Sequence, residues 1–110
     1  MTLKLKSDAY RRARGGQARL LLLSCEHCGT EVLAYQKDGP GILKRLYLDR
    51  IFAPEALTNL DKLPIRDVSS LSCLGCHQVL GVPAIYPKEK RKIFRLFVGA
   101  VTKKIVKAGH

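Results

Sequence analysis

The sequence has too few acids to balance its bases: 9 Asp and Glu stand against 20 Lys and Arg in 110 residues, a formal charge of +11 at pH 7. A field of that sign attracts polyanions, and the two abundant classes are nucleic acid and anionic membrane surfaces. Long apolar runs are also missing. The longest, such as Leu20–Leu23 and Leu96–Val98, fall far short of the roughly 18 residues of a membrane-spanning helix. Arg19 stops the first run well below the roughly 7–15 apolar residues of an export segment, so Leu22-Leu23-Ser24-Cys25 is not read as a lipoprotein cleavage site. A cytoplasmic chain is expected, with organelle targeting by the arginine-rich start left open. Catalytic signatures are absent as well. There is no Ser-His-Asp set and no pair of carboxylates, and the glycines of Asp38-Gly39-Pro40-Gly41 lack the Gly-Lys-Ser/Thr ending of a nucleotide loop and read as a tight turn. The expected role is binding, not catalysis.

Cysteine is scarce, but its four copies form a pattern: Cys25-Glu26-His27-Cys28 and Cys73-Leu74-Gly75-Cys76. Two Cys-x-x-Cys units with nothing left over read as one four-thiolate zinc site. Each unit supplies two sulfurs from one tight turn, and two turns face to face make the closed tetrahedron of a structural Zn²⁺. Cys25, Cys28, Cys73 and Cys76 are therefore the expected ligands. Gly29 follows the first knuckle, where the backbone often takes a shape that glycine adopts cheaply. His27 and His77 adjoin the sulfurs, which leaves open a Cys₃His variant or a hydrogen bond to a ligand.

Other cysteine chemistries fit less well. Disulfides need an oxidising compartment. A thioredoxin-like motif would begin a helix inside a βαβ unit. Cys73-Leu74-Gly75-Cys76-His77 matches c-type haem attachment, yet haem would leave Cys25 and Cys28 without a role and would find no methionine but Met1 as an axial ligand. A zinc deaminase needs His-x-Glu, which does not occur, and four thiolates close the position that hydrolytic zinc keeps open. The knuckle pair resembles the zinc-ribbon class of many ribosomal and transcription-associated proteins. The resemblance covers the two knuckles and their flanking strands. The stretch from Gly29 to Ser72 exceeds the spacers of about 15–20 residues in compact sites. Within it, Tyr35–Arg50 has the character of a signature, with no family attached.

The cations gather at the two ends of the chain. Residues 1–19 carry Lys4, Lys6, Arg11, Arg12, Arg14 and Arg19 against Asp8, and residues 88–107 set a run of Lys and Arg against Glu89 alone. The expected partner is nucleic acid, read as structured RNA of the ribosomal or ribosome-associated kind, alone or within a larger ribonucleoprotein or protein assembly. RNA over DNA is what the zinc-ribbon resemblance implies. Phosphate contacts are expected from Arg11, Arg12, Arg14, Arg19, Lys44, Arg45, Lys88, Lys90, Arg91, Lys92 and Arg95. The alternatives are a zinc-held interaction module with an acidic protein partner, and a binder of anionic membrane surfaces through Phe94 and Phe97.

The expected fold class is α+β: a flexible basic arm over 1–19, then a single domain over 20–110. In that domain, zinc-ribbon-like hairpins are joined by a long insertion and followed by an amphipathic helix over about 87–107. Leu20–Ser24 and Thr30–Gln36 flank the first knuckle as strands. Ile42–Ile51 reads as a strand, although a helical face also fits, and Pro54–Leu60 as a short helix. Val68–Ser72 and Gln78–Tyr86 flank the second knuckle, the latter broken by Gly81 and Pro83. At 100° per residue Ile93, Phe94, Phe97, Val98, Val101 and Ile105 share one face of the C-terminal helix. Lys88, Lys90 and Arg91 would crowd its N-terminus against the macrodipole, which points to an anionic partner.

Overall fold

The computed structural model describes Leu5, Lys6, Asp8, Tyr10 and residues 18–106. Eight strands run through it: β1 (Ala18–Cys25), β2 (Glu31–Asp38), β3 (Arg45–Tyr47), β4 (Ile51–Ala53), β5 (Leu71–Ser72), β6 (Val79–Tyr86), β7 (Arg91–Leu96) and β8 (Val101–Val106). They form two antiparallel four-stranded sheets, ordered β4-β2-β1-β8 and β3-β7-β6-β5. The chain crosses from the second sheet to the first twice, between β3 and β4 and between β7 and β8.

Each knuckle lies at the tip of a hairpin, as the flanking β-rich sequence predicts, but the two hairpins belong to different sheets. One is β1–β2 in the first sheet and the other β5–β6 in the second. Leu21, Leu23, Leu33 and Tyr35 from the first sheet meet Leu46, Leu71, Leu80 and Phe94 from the second in one core. Cys25 and Cys73 are part of that core, so it extends directly into the knuckles.

The architecture is mainly β and corrects the α+β expectation. The amphipathic helix over 87–107 is instead two strands, β7 bound to β6 and β8 bound to β1, in register pairs such as Phe94↔Pro83 and Lys103↔Leu23. Two left-handed residues, Lys90 (φ 51°) and Gly99 (φ 73°), interrupt any helix there. The segment is rich in β-branched and aromatic residues, which suit a pleated surface better than a helix. The residues expected to share one helical face also separate: Phe94 is 1% exposed and Val98 106%. With the helix goes the macrodipole argument about Lys88, Lys90 and Arg91.

Smaller departures have local causes. Within Ile42–Ile51 only Arg45–Tyr47 and Ile51 are strand, because Leu48–Arg50 forms a 3₁₀ turn between β3 and β4. Instead of one helix after Pro54 there are 3₁₀ turns at Glu55–Leu57 and Leu60–Lys62, separated by left-handed Asn59 (φ 66°). A third turn, Ile65–Asp67, leads to β5. Strand β6 runs unbroken through Gly81 and Pro83. A Cβ at Gly81 would lie 2.8 Å from the Arg95 carbonyl oxygen, so a tight approach of β7 selects glycine. Pairing with β5 ends at Gly81, so Pro83 lies on an open edge, where a missing N–H is tolerated.

The strand ends remote from the knuckles are closed by arginines. Arg50, 1% exposed, donates to Asp38 at 2.9 Å and Asp8 at 2.6 Å. Burial opposes its charge, and the two carboxylates more than offset that. Arg91, 6% exposed, donates to Asp49 at 2.7 Å and Glu89 at 3.3 Å, and its guanidinium lies 3.9 and 3.8 Å from the Tyr10 and Tyr47 ring centroids. Lys6, in the segment read as an arm, exchanges backbone hydrogen bonds with the buried Gln36 amide. Lys6, Asp8 and Tyr10 thus pack on the body.

Candidate metal centre and basic surface

Two equivalent turns build the sulfur cluster. In each, the amide of the residue after the second cysteine donates to the first cysteine's carbonyl, Gly29 to Cys25 and His77 to Cys73, both at 2.8 Å. The first cysteine's amide donates two residues beyond that cysteine pair, Cys25 to Thr30 at 2.8 Å and Cys73 to Gln78 at 2.9 Å. Gly29 (φ 77°) and His77 (φ 65°) are both left-handed. Glycine meets this need at 29 as its residue type suggests, whereas at 77 a histidine meets it, and only the equal offset from Cys28 and Cys76 carries that signal.

The turns meet through Gly75. A Cβ there would run into Thr30 Oγ1 and lie 3.3 Å from Cys28 Sγ. All four Sγ atoms lie within 4.8 Å of one another. The close pairs cross between knuckles, Cys28 to Cys73 at 3.4 Å and Cys25 to Cys76 at 3.8 Å. These are free thiols, far beyond the roughly 2.05 Å of a disulfide. Zn–S bonds of about 2.3 Å in a tetrahedron put sulfurs about 3.8 Å apart, so the cluster is compatible with one zinc ion. Neither His27 nor His77 belongs to it.

The surroundings of the sulfurs favour ionisation unevenly. The Thr30 hydroxyl, 3.1 Å from Cys28 Sγ, and the Thr30 backbone bring the Cys28 thiol down to about 6. Backbone amides of Cys76 and Gly75 lower Cys73, the latter donating to its sulfur at 3.3 Å. Cys76 moves the other way: the Gln78 backbone pulls it down, but burial and the neighbouring thiols push it up to about 11. A divalent ion that supplies positive charge to all four removes this conflict.

The cations expected to meet phosphate are divided by the fold. Arg91 is occupied by Asp49, Glu89 and two tyrosines, and the Lys92 ammonium donates to the Asp61 and Leu63 carbonyls at 2.8 and 2.5 Å. Arg91 is buried and Lys92 half-buried, and each spends hydrogen bonds on the chain itself. Arg19, Lys44, Lys88, Lys90 and Arg95 are exposed. Arg11, Arg12 and Arg14 lie outside the described residues. The charge pattern also missed a convergence on the outer face of the second sheet. Arg45 of β3 sits directly opposite Arg95 of β7, with Lys44 next in the chain, and the Arg45 guanidinium stacks 4.0 Å from the Tyr86 ring centroid.

Phe94 belongs to the core, which removes it from any membrane-facing stripe. Among the described residues no helix is long and apolar enough to cross a membrane. No protein-family model, no curated protein and no solved structure matches the chain.

Proposed function

We propose that this chain is a zinc-stapled nucleic-acid-binding protein, that its ligand is structured RNA of the ribosome-associated kind, and that the outer face of its second sheet makes the contact. Zinc on Cys25, Cys28, Cys73 and Cys76 supplies no chemistry to a substrate; it joins one hairpin of each sheet and so fixes the angle between them.

The observation that carries the reading is the Arg45–Arg95 pair. Like charges directly opposite on adjacent strands destabilise a sheet. Packing accounts for Arg45, which covers the Tyr86 ring, but it gives no reason for exposed Arg95 opposite it. A phosphate backbone does, and the overall charge of +11 favours a polyanion over an isolated anion.

The test is anisotropy titration of the zinc-loaded full chain with RNA and DNA across a salt series. Each lost phosphate contact removes roughly 0.9 from the log–log slope on duplex DNA and roughly 0.7 on single strands, so Arg45→Gln with Arg95→Gln should flatten the slope by about two contacts. Salt-independent binding, or an unchanged slope in the double variant, would refute it. Loss of a co-purifying partner on nuclease treatment separates this reading from an acidic protein partner.

A further inference from the structure

The segment Tyr35–Arg50, singular in sequence, is not explained by the metal. It folds around a polar recess of about 120 Å³ lined by Tyr35, Lys37, Asp38, Lys44, Arg45 and Tyr47. Among the described lining residues three cations stand against one carboxylate, and that carboxylate is committed: Asp38 accepts from Arg50 at 2.9 Å and from the Gln36 amide at 2.7 Å. The walls are fixed as well. The buried Tyr35 hydroxyl accepts the Tyr47 amide at 2.8 Å, and Lys37 donates to the Gly39 carbonyl at 2.7 Å. The recess thus presents an excess of positive charge on a rigid frame.

A second cavity adjoins it and shares Ile42, Leu43, Lys44 and Arg45. This groove, about 730 Å³, lies within the roughly 300–1,000 Å³ of small-molecule sites. Ile85, Tyr86, Phe97 and Val98 complete its apolar lining, and its charges are Lys44, Arg45 and Arg95, with no carboxylate among the described lining residues. Ile42 is 80% exposed, Phe97 48% and Val98 106%, a cluster of apolar surface that folding leaves uncovered. Lys44 and Arg45 stand on the ridge between a small cationic recess and a larger apolar groove.

We propose that this pair of cavities docks one unpaired nucleotide of an RNA chain, its phosphate in the recess and its base in the groove against Phe97 and Ile42. The inference rests on the nucleic-acid reading above and narrows it. The occupant must offer an anion and an apolar face one bond system apart, which a nucleotide does. A duplex keeps its base faces stacked and cannot reach the groove.

The experiment measures anisotropy of the zinc-loaded chain with three labelled probes: a short single-stranded RNA, an RNA hairpin with the same number of phosphates whose loop is replaced by a non-nucleotide linker, and an acidic amphipathic peptide. Single-stranded RNA should bind at least about tenfold more tightly than the hairpin. Phe97→Ala and Ile42→Ser should each weaken the single strand by about tenfold and leave the hairpin unchanged, since loss of base stacking has an effect of that size. Lys44→Gln with Arg45→Gln should weaken both. Zinc content and thermal melting check that the variants fold, and Val98→Ser, at a fully exposed position, repeats the groove test without touching the core. Equal affinity for both RNAs with silent groove variants would overturn the nucleotide site and leave the polyanion reading standing. Tight peptide binding with no RNA binding at low salt would overturn both.

Discussion

Strands β1, β2 and β6 are closed differently at their two ends. At one end lie four thiols within 4.8 Å, at the other two buried arginines with carboxylate partners. An eight-residue strand at roughly 3.4 Å per residue puts about 24 Å between them. The arginine end is self-sufficient, because each guanidinium finds its counter-charge in the chain. The cysteine end differs, because its thiols vary in their readiness to ionise and a divalent cation would balance all four. The fold thus carries its own ion pairs at one end and, at the other, a thiol cluster compatible with one zinc ion, with the proposed binding face between.

The largest effect should come from breaking the cysteine end. Cys73→Ser or a strong chelator should abolish cooperative thermal unfolding, since structural zinc contributes folding free energy on the order of 10 kcal/mol in small domains. Acid should act in the same direction. Metal-bound thiolates titrate below the ordinary thiol range, so the stability they contribute is present above it and lost as pH falls, with metal release followed by a zinc dye. A chain that melts identically with and without chelator would put both ends on the same footing and refute the contrast.

Breaking the arginine end should cost less. Arg50→Met strands buried Asp38, and removing one partner of a buried pair costs about 3–5 kcal/mol. Most of that belongs to Asp38, 5% exposed, because Asp8 is 40% exposed and its share is screened. Chemical denaturation of the zinc-loaded protein measures it. Arg91→Lys keeps the charge but loses the planar stack between Tyr10 and Tyr47, a change of about 1–2 kcal/mol by the same measurement. The smallest effects lie within the cysteine end. Gly29→Ala meets no atom within 4 Å, so its cost of about 1–2 kcal/mol is conformational. His77→Gly should stabilise by about 1 kcal/mol, because His77 holds the same left-handed shape with a side chain.

Legibility in the sequence followed the range of the interactions. The knuckles were readable because their chemistry is local, and the assembly of Cys25, Cys28, Cys73 and Cys76 follows from their complete use. The strands flanking them were readable for the same reason. The C-terminal hairpin was not, because Ile93, Phe94, Phe97, Val98, Val101 and Ile105 satisfy a helical period, while the adjacent pairs at 93/94 and 97/98 break a strand's alternation. Gly99 and the β-branched content were the evidence against the helix. The fates of Arg91 and Lys92 were hidden, because Asp49, Asp61 and Leu63 lie far from them in sequence and are brought near only by tertiary packing. The facing of Arg45 and Arg95 depends on the β3–β7 register, which no local pattern fixes.

The contact between Gly75 and Thr30 sets a rule of inheritance for this fold. Residue 75 has no room for a side chain while a hydroxyl and a methyl occupy position 30, so the two positions cannot vary independently. A descendant that gains even alanine at 75 must accept a smaller residue at 30, and with it a change in the hydroxyl that steadies Cys28. Kinship among such chains should therefore show in paired identities at 30 and 75, a coupling that the spacing of the cysteines does not report.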